Sequence, residues 1–131
     1  MQALKSLSGI AHWLPRLALA AIFLYHGGTK FPMAQGMAEM MGMPVMMVYL
    51  LGTMECLGAL LILWGGAGPE WATQVGGLIF SVVMLGAIVM VHAQFGWNSI
   101  NMGDNGGHGM EFQVLILATS LYFVFKGDEA R

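Results

Sequence analysis

Residues 45–64 read VMMVYLLGTMECLGALLILW, twenty positions with one charged side chain, Glu55. A run of this length can cross the roughly 30 Å hydrocarbon core of a bilayer as a helix, where every backbone N–H and C=O is satisfied internally. Three further apolar segments accompany it, at 10–26, 71–95 and 112–125, separated by Gly, Pro and polar clusters. Composition decides between a soluble bundle and a membrane bundle. Only 9% of the residues are charged, against about 25% in a soluble domain whose surface must be wetted. Five Lys+Arg and seven Asp+Glu cannot cover a soluble particle of 131 residues. The chain is therefore expected to be an all-α, multi-pass four-helix bundle in the membrane, forming one domain over residues 1–131.

The first and fourth segments are short for a span, so their polar flanks, His26 and Glu111, are expected at the interface or in a protein-lined pocket. Gly27 and Gly28 are read as the end of the first span. Lys5 ahead of an apolar run suggests a signal peptide, but His12, Pro15 and Arg16 interrupt that run. No small-x-small cleavage site follows it, so a retained first span is expected. Lys5 near one end of the chain and Lys126 and Arg131 near the other outnumber Lys30 in the first loop, which predicts both termini in the cytoplasm. A net charge of −2 gives no reason to expect nucleic acid as a partner. Cys56 is the one cysteine and cannot form an internal disulfide.

An ionisable group inside a span is costly and normally turns inward to a partner. At about 100° per residue, Arg16, Phe23 and Lys30 share one face of the first helix, with His26 at its edge. Glu55 has Gly52 and Gly58 three residues to either side, small residues that let a neighbouring helix come close. Gln74, Ser81 and His92 align on the third span, and Glu111, Leu115, Ala118 and Tyr122 on the fourth. Four polar stripes could meet on the bundle axis. One reading makes them helix glue, with an Arg16–Glu55 ion pair. The other makes them a polar pocket or proton path, with Lys30, His26, His92, Asp104, His108 and Glu111 gathered at one end. A buried carboxylate and a histidine suit proton exchange. With an apolar slot between them, they suit a quinone.

Seven methionines fall between Met33 and Met47. Met33, Met37, Met40 and Met41 follow a helix-face spacing, which suits an interfacial helix or adaptable packing against a partner. Soft thioethers with His26 or His108 would also suit Cu(I). The glycine-rich segment NSINMGDNGGHGMEFQ carries Asp104, His108 and Glu111 and reads as a surface turn into the fourth span. No P-loop, nucleophile elbow, dinucleotide fingerprint or zinc spacing occurs.

In order along the chain, Arg16, the FLYHGGTKF stretch from Phe23 to Phe31, Glu55-Cys-Leu-Gly58-Ala-Leu-Leu61 leading to Gly65, His92 and Glu111 resemble the DoxX family of small four-span bacterial membrane proteins. The resemblance implies a left-handed bundle in the bacterial inner membrane. It also implies that Arg16, Lys30, Glu55, His92 and Glu111 are where the family concentrates its polar residues. Relatives in that family include a subunit of thiosulfate:quinone oxidoreductase. The chain departs from the pattern in lacking a basic residue after Gly65 and in its shortened tail, FKGDEAR. The resemblance points to a quinone-linked subunit of a membrane complex. Glu55 and His92 would exchange protons or meet the quinone oxygens, Arg16 would hold the charge state of Glu55, and Lys30 and Glu111 would shape the mouth. Two alternatives are an assembly subunit docking membrane or periplasmic proteins, or a second copy, through its methionine-rich loop, and a small-solute or metal-ion transporter.

Overall fold

The computed structural model describes residues 7–100 and 106–131, and among these every regular element is helical, with no strand. Lys5 and Asp104 lie outside the described residues. Four helices succeed one another: α1 (Trp13–Met41), α2 (Val45–Trp64), α3 (Glu70–Ala87) and α4 (Glu111–Lys126). A π-helical turn over Ile88–His92 and a 3₁₀ turn over Ala93–Phe95 prolong α3. α2 packs between α1 and α3, and α3 packs between α2 and α4. The two central helices, with α3 taken through to Phe95, are long and apolar enough to cross a membrane. Large apolar side chains stand exposed on every helix, among them Leu14 and Leu17 on α1, Leu57 and Leu60 on α2, Leu78 and Leu85 on α3, and Phe125 on α4. A soluble monomer does not display so continuous an apolar exterior.

The first helix departs from the sequence reading. It does not stop at Gly27-Gly28 but runs 29 residues to Met41, passing through Pro32. At 1.5 Å per residue it is about 44 Å long. Gly27 is a contact and not a terminator. A Cβ there would come within 2.9 Å of the Gly52 carbonyl oxygen and of Cys56 Sγ. Tertiary packing continues beyond the glycines, with Ala34 and Ala38 buried against Val48. The helix ends where the backbone turns left-handed at Gly42, φ 63°. Met43 N–H bonds Ala38 C=O and Gly42 N–H bonds Glu39 C=O, the paired closure of a Schellman motif. The methionine-rich stretch is thus the last turns of α1 and the first of α2, not a loop. Its inner face carries Ala34, Met37 and Ala38, while Met33 and Met40 point outward. The predicted stripe of Met33, Met37, Met40 and Met41 is divided between two faces.

The centre of the core is a stacked pair, Phe23 on α1 and Phe80 on α3, with ring centroids 3.8 Å apart and planes 5° from parallel. Gly58 makes room for it, since a Cβ there would meet the Phe80 ring at 2.6 Å. At one end Arg16 is fully buried. Its Nη1 donates to Ile62 C=O at 2.8 Å and to Thr73 Oγ1 at 3.0 Å, and its guanidinium lies 4.6 Å from the centre of the Phe123 ring. The Arg16–Glu55 pair expected from the sequence does not form. Ile62, which Arg16 does reach, lies seven residues beyond Glu55, or about 10 Å along the helix. The Glu111, Leu115, Ala118 and Tyr122 face also fails to reach the axis. Leu115 and Tyr122 are exposed, and Ile116, Ser120 and Phe123 turn inward instead.

Candidate functional site

About four turns further along α1 from Arg16, the Lys30 side chain emerges next to Glu55. Both are nearly inaccessible, with side chains 10% and 5% exposed, and Lys30 Nζ lies 2.7 Å from Glu55 Oε2. Lys30 Nζ also donates to the His26 carbonyl at 3.1 Å. The contact exists because Gly27 and Gly52 bring the α1 and α2 backbones together one turn away. An ion pair taken out of water loses solvation that only close geometry and added hydrogen bonds return. Here both conditions are met on the lysine side. Glu55 Oε1 takes no hydrogen bond among the described residues.

This pair forms part of the wall of a cavity of about 640 Å³. All four helices contribute to it, with His26 and Lys30 from α1, Glu55 from α2, His92 at the end of α3, and Gln113 from α4. The rest of the lining is almost wholly apolar and includes Met37, Met41, Met43, Met47, Met54, Met84 and Met90. Ligand sites typically occupy about 300–1,000 Å³, with an apolar lining and a few placed polar groups. Methionine's unbranched thioether adapts its shape and makes favourable contacts with aromatic rings.

His92 reaches the cavity through the π turn. A wider turn shifts the azimuth of every residue after it, so His92 leaves the line of Ser81, which hydrogen-bonds the Gly77 carbonyl of its own helix. π turns inside α-helices occur frequently at functional sites. His92 Nδ1 lies 2.7 Å from the His108 carbonyl, and Nε2 lies 3.0 Å from Gln113 Nε2. A carbonyl can only accept and an amide NH₂ can only donate. The carbonyl requires a proton on Nδ1, and with the Gln113 NH₂ turned toward the ring Nε2 accepts from it. Gln113 Oε1 is left buried without a partner. Turning the amide over would bring Oε1 to Nε2, an arrangement that requires His92 protonated on both nitrogens.

Of the residues singled out from sequence, the structure brings together Glu55, Lys30, His26 and His92. Arg16 lies at the other end of the bundle and does not line the cavity. Glu111 lies outside it too: its carboxylate accepts from Ser99 N–H at 2.9 Å and its own N–H donates to Trp97 C=O. It fastens the turn that leads into α4. Gln113 and Thr73 were missed. Gln113 stands two positions after Glu111, and the more conspicuous charge masked it. Thr73 was overlooked for its neighbour Gln74, which is only half-buried. Among the described residues no group of three or more His, Cys, Asp or Glu side chains could hold a metal ion.

Comparison with known proteins identifies the family. The DoxX family profile matches residues 11–93, a segment that contains Arg16, the Lys30–Glu55 pair and His92. The chain belongs to the DoxX family. DoxX proteins are membrane-associated, in keeping with the apolar exterior of the four helices. The chain is also 29% identical over 118 residues to a Bacillus subtilis (strain 168) protein named "Putative oxidoreductase CatD". That alignment takes in 88% of this chain and 78% of the relative. No solved structure matches the chain at a significant level.

Proposed function

We propose that this DoxX protein is a multi-pass protein of the bacterial inner membrane, with both termini in the cytoplasm, that binds a quinone in the cavity between its helices and exchanges protons with it. The observation that carries the reading is the pairing of an apolar, methionine-lined space of about 640 Å³ with two polar stations, Lys30–Glu55 and His92–Gln113. A quinone ring needs such an environment: flat apolar walls, and hydrogen-bonding groups for its two oxygens. Lys30 has three N–H groups, two of them used by Glu55 and His26, so one remains for a carbonyl oxygen. Glu55 Oε1 is placed to take a proton from a hydroxyl, and His92 Nε2 can receive one once Gln113 turns. The oxidoreductase name of the Bacillus subtilis relative supports a redox setting. Electrons would come from or pass to a partner subunit that carries the electron-transfer group. Arg16, remote from Glu55, plays no part in this exchange.

The test is Glu55→Gln in the assembled membrane complex. The amide can still accept from Lys30 but cannot take up a proton. Normal membrane insertion with quinone turnover lowered about 100-fold or more is the expected result, within the range for loss of a proton-transfer group. Unimpaired turnover would refute the reading.

One observation favours a second ligand. Met37 and Met41 on α1 face the same cavity as Met43 and Met47 across the Gly42 turn, and clustered thioethers favour Cu(I). The variant carrying both Met43→Leu and Met47→Leu keeps the packing volume. If copper is bound here, that variant loses stoichiometric Cu(I) in a chelator competition; if it holds copper like the wild type, the second reading fails.

A further inference from the structure

We infer that the cavity opens sideways between α2 and α3, and that its ligand carries a long apolar tail which lies in that opening. The inference rests on the quinone reading above and narrows the ligand to bilayer-resident, tailed rings.

The gap arises from two glycines that play opposite roles. Near the closed end α2 and α3 touch backbone to backbone, and a Cβ on Gly76 would lie 2.9 Å from Ile62 N. Ten residues further along α3, a Cβ on Gly86 would meet nothing within 4 Å. The space beside α3 is open at that level, and Gly86 lines the cavity together with Leu50 and Leu51 of α2.

Five side chains of α2 and α3 mark the edges of the opening. Met47 and Leu50 on α2, Leu78 and Val82 on α3, and Met90 on the turn that continues it all line the cavity, yet they are 51%, 53%, 53%, 61% and 66% exposed. A residue that is both cavity wall and outer surface stands at a mouth. All five are apolar, and they sit among the exposed Leu57 and Leu85 of the same two helices and Val89 of the turn after α3. The opening therefore faces hydrocarbon. The exposed polar lining residue, His26, belongs to α1 and is not part of this gap. A ligand complementary to the whole space has a polar ring against Lys30, Glu55 and His92 and an apolar chain leading out past Gly86. A water-soluble solute would find no polar group at this door.

Gly86→Trp tests the inference, because the indole would enter open space in the mouth and not the packed core. Val82→Trp, at an exposed edge, is the second variant. Purified protein in lipid nanodiscs would be titrated with two probes: 2-methyl-1,4-naphthoquinone, and the same ring carrying a four-unit isoprenoid chain. Thermal unfolding close to that of the wild type verifies the fold of each variant. The tailed probe is expected to lose about tenfold or more in affinity for either variant, while the tail-free ring stays within about twofold. Undiminished affinity of both variants for the tailed probe would overturn the lateral route. So would equal losses for the two probes, because the indole would then be filling the ring slot. If the wild-type protein bound neither probe, the quinone reading itself would fall, an outcome distinct from either of those.

Discussion

The two ends of the bundle each bury a basic side chain on α1, and they do it in opposite ways. Arg16 is surrounded by neutral partners, a carbonyl, a threonine hydroxyl and an aromatic face, and among the described residues no carboxylate bonds it. Lys30 has a carboxylate at 2.7 Å and a cavity beside it. A guanidinium spreads its charge over a planar fork and stacks on aromatic rings. An ammonium is a compact charge that exchanges partners and protons more readily. The Arg16 end is thus a clamp that ties α1 to α2, α3 and α4. Arg131 adds to it by bonding the carbonyls of Gly65 and Gly68 in the α2–α3 turn. At the Lys30 end α1 and α2 stay packed together, and the space enclosed with α3 and α4 is a cavity. A closed end that fixes the bundle leaves the other end free to hold a ligand.

Five substitutions test this contrast, each read by thermal unfolding in detergent with ligand binding measured in parallel. Lys30→Met should be the most damaging, because it leaves Glu55 buried without its partner, a loss of about 3–5 kcal/mol. Adding Glu55→Leu to Lys30→Met should restore most of that stability while affinity for the proposed quinone stays lost; a double variant as unstable as the single one would mean that the pair is not what matters. Arg16→Met removes the bonds to Ile62 and Thr73 and the contact with Phe123, and should cost about 2–3 kcal/mol. Ligand affinity should be unchanged, and a drop in affinity with stability intact would contradict the division between clamp and site. Gly58→Ala pushes a methyl into the Phe80 ring and should cost about 1–3 kcal/mol by overpacking. Gly86→Ala lies in open space and should stabilise α3 by about 0.5–1 kcal/mol through helix propensity. If those two glycine variants behaved alike, the claim that α2 and α3 part between them would be wrong.

The sequence reading located the helices well where hydrophobicity alone sets them. The predicted 45–64 matches α2 at both ends, and 112–125 falls within one residue of α4 at each end. It failed at Gly27-Gly28, because a glycine that ends a helix and a glycine that lets another helix approach look the same in one dimension. The inward direction of Arg16, Phe23 and Lys30 was legible because a straight helix keeps its period. His92 was harder, since its direction depends on a π turn that no periodicity announces. The outward face of Glu111, Leu115 and Tyr122 was misjudged because an intramembrane polar group was assumed to look inward. Glu111 sits at the very start of α4, where Ser99 N–H supplies its partner from the preceding turn.

What the sequence determined by itself was the class: too few charges for a soluble surface, apolar runs of spanning length, and a small set of polar residues that must be sheltered. Those conclusions rest on transfer free energies, which belong to each residue separately. Which basic residue meets Glu55 was decided only in three dimensions. Lys30 and Arg16 share a face and lie fourteen positions apart, so periodicity cannot choose between them. The choice falls to the axial register of α1 against α2, and the mutual approach of Gly27 and Gly52 fixes that register.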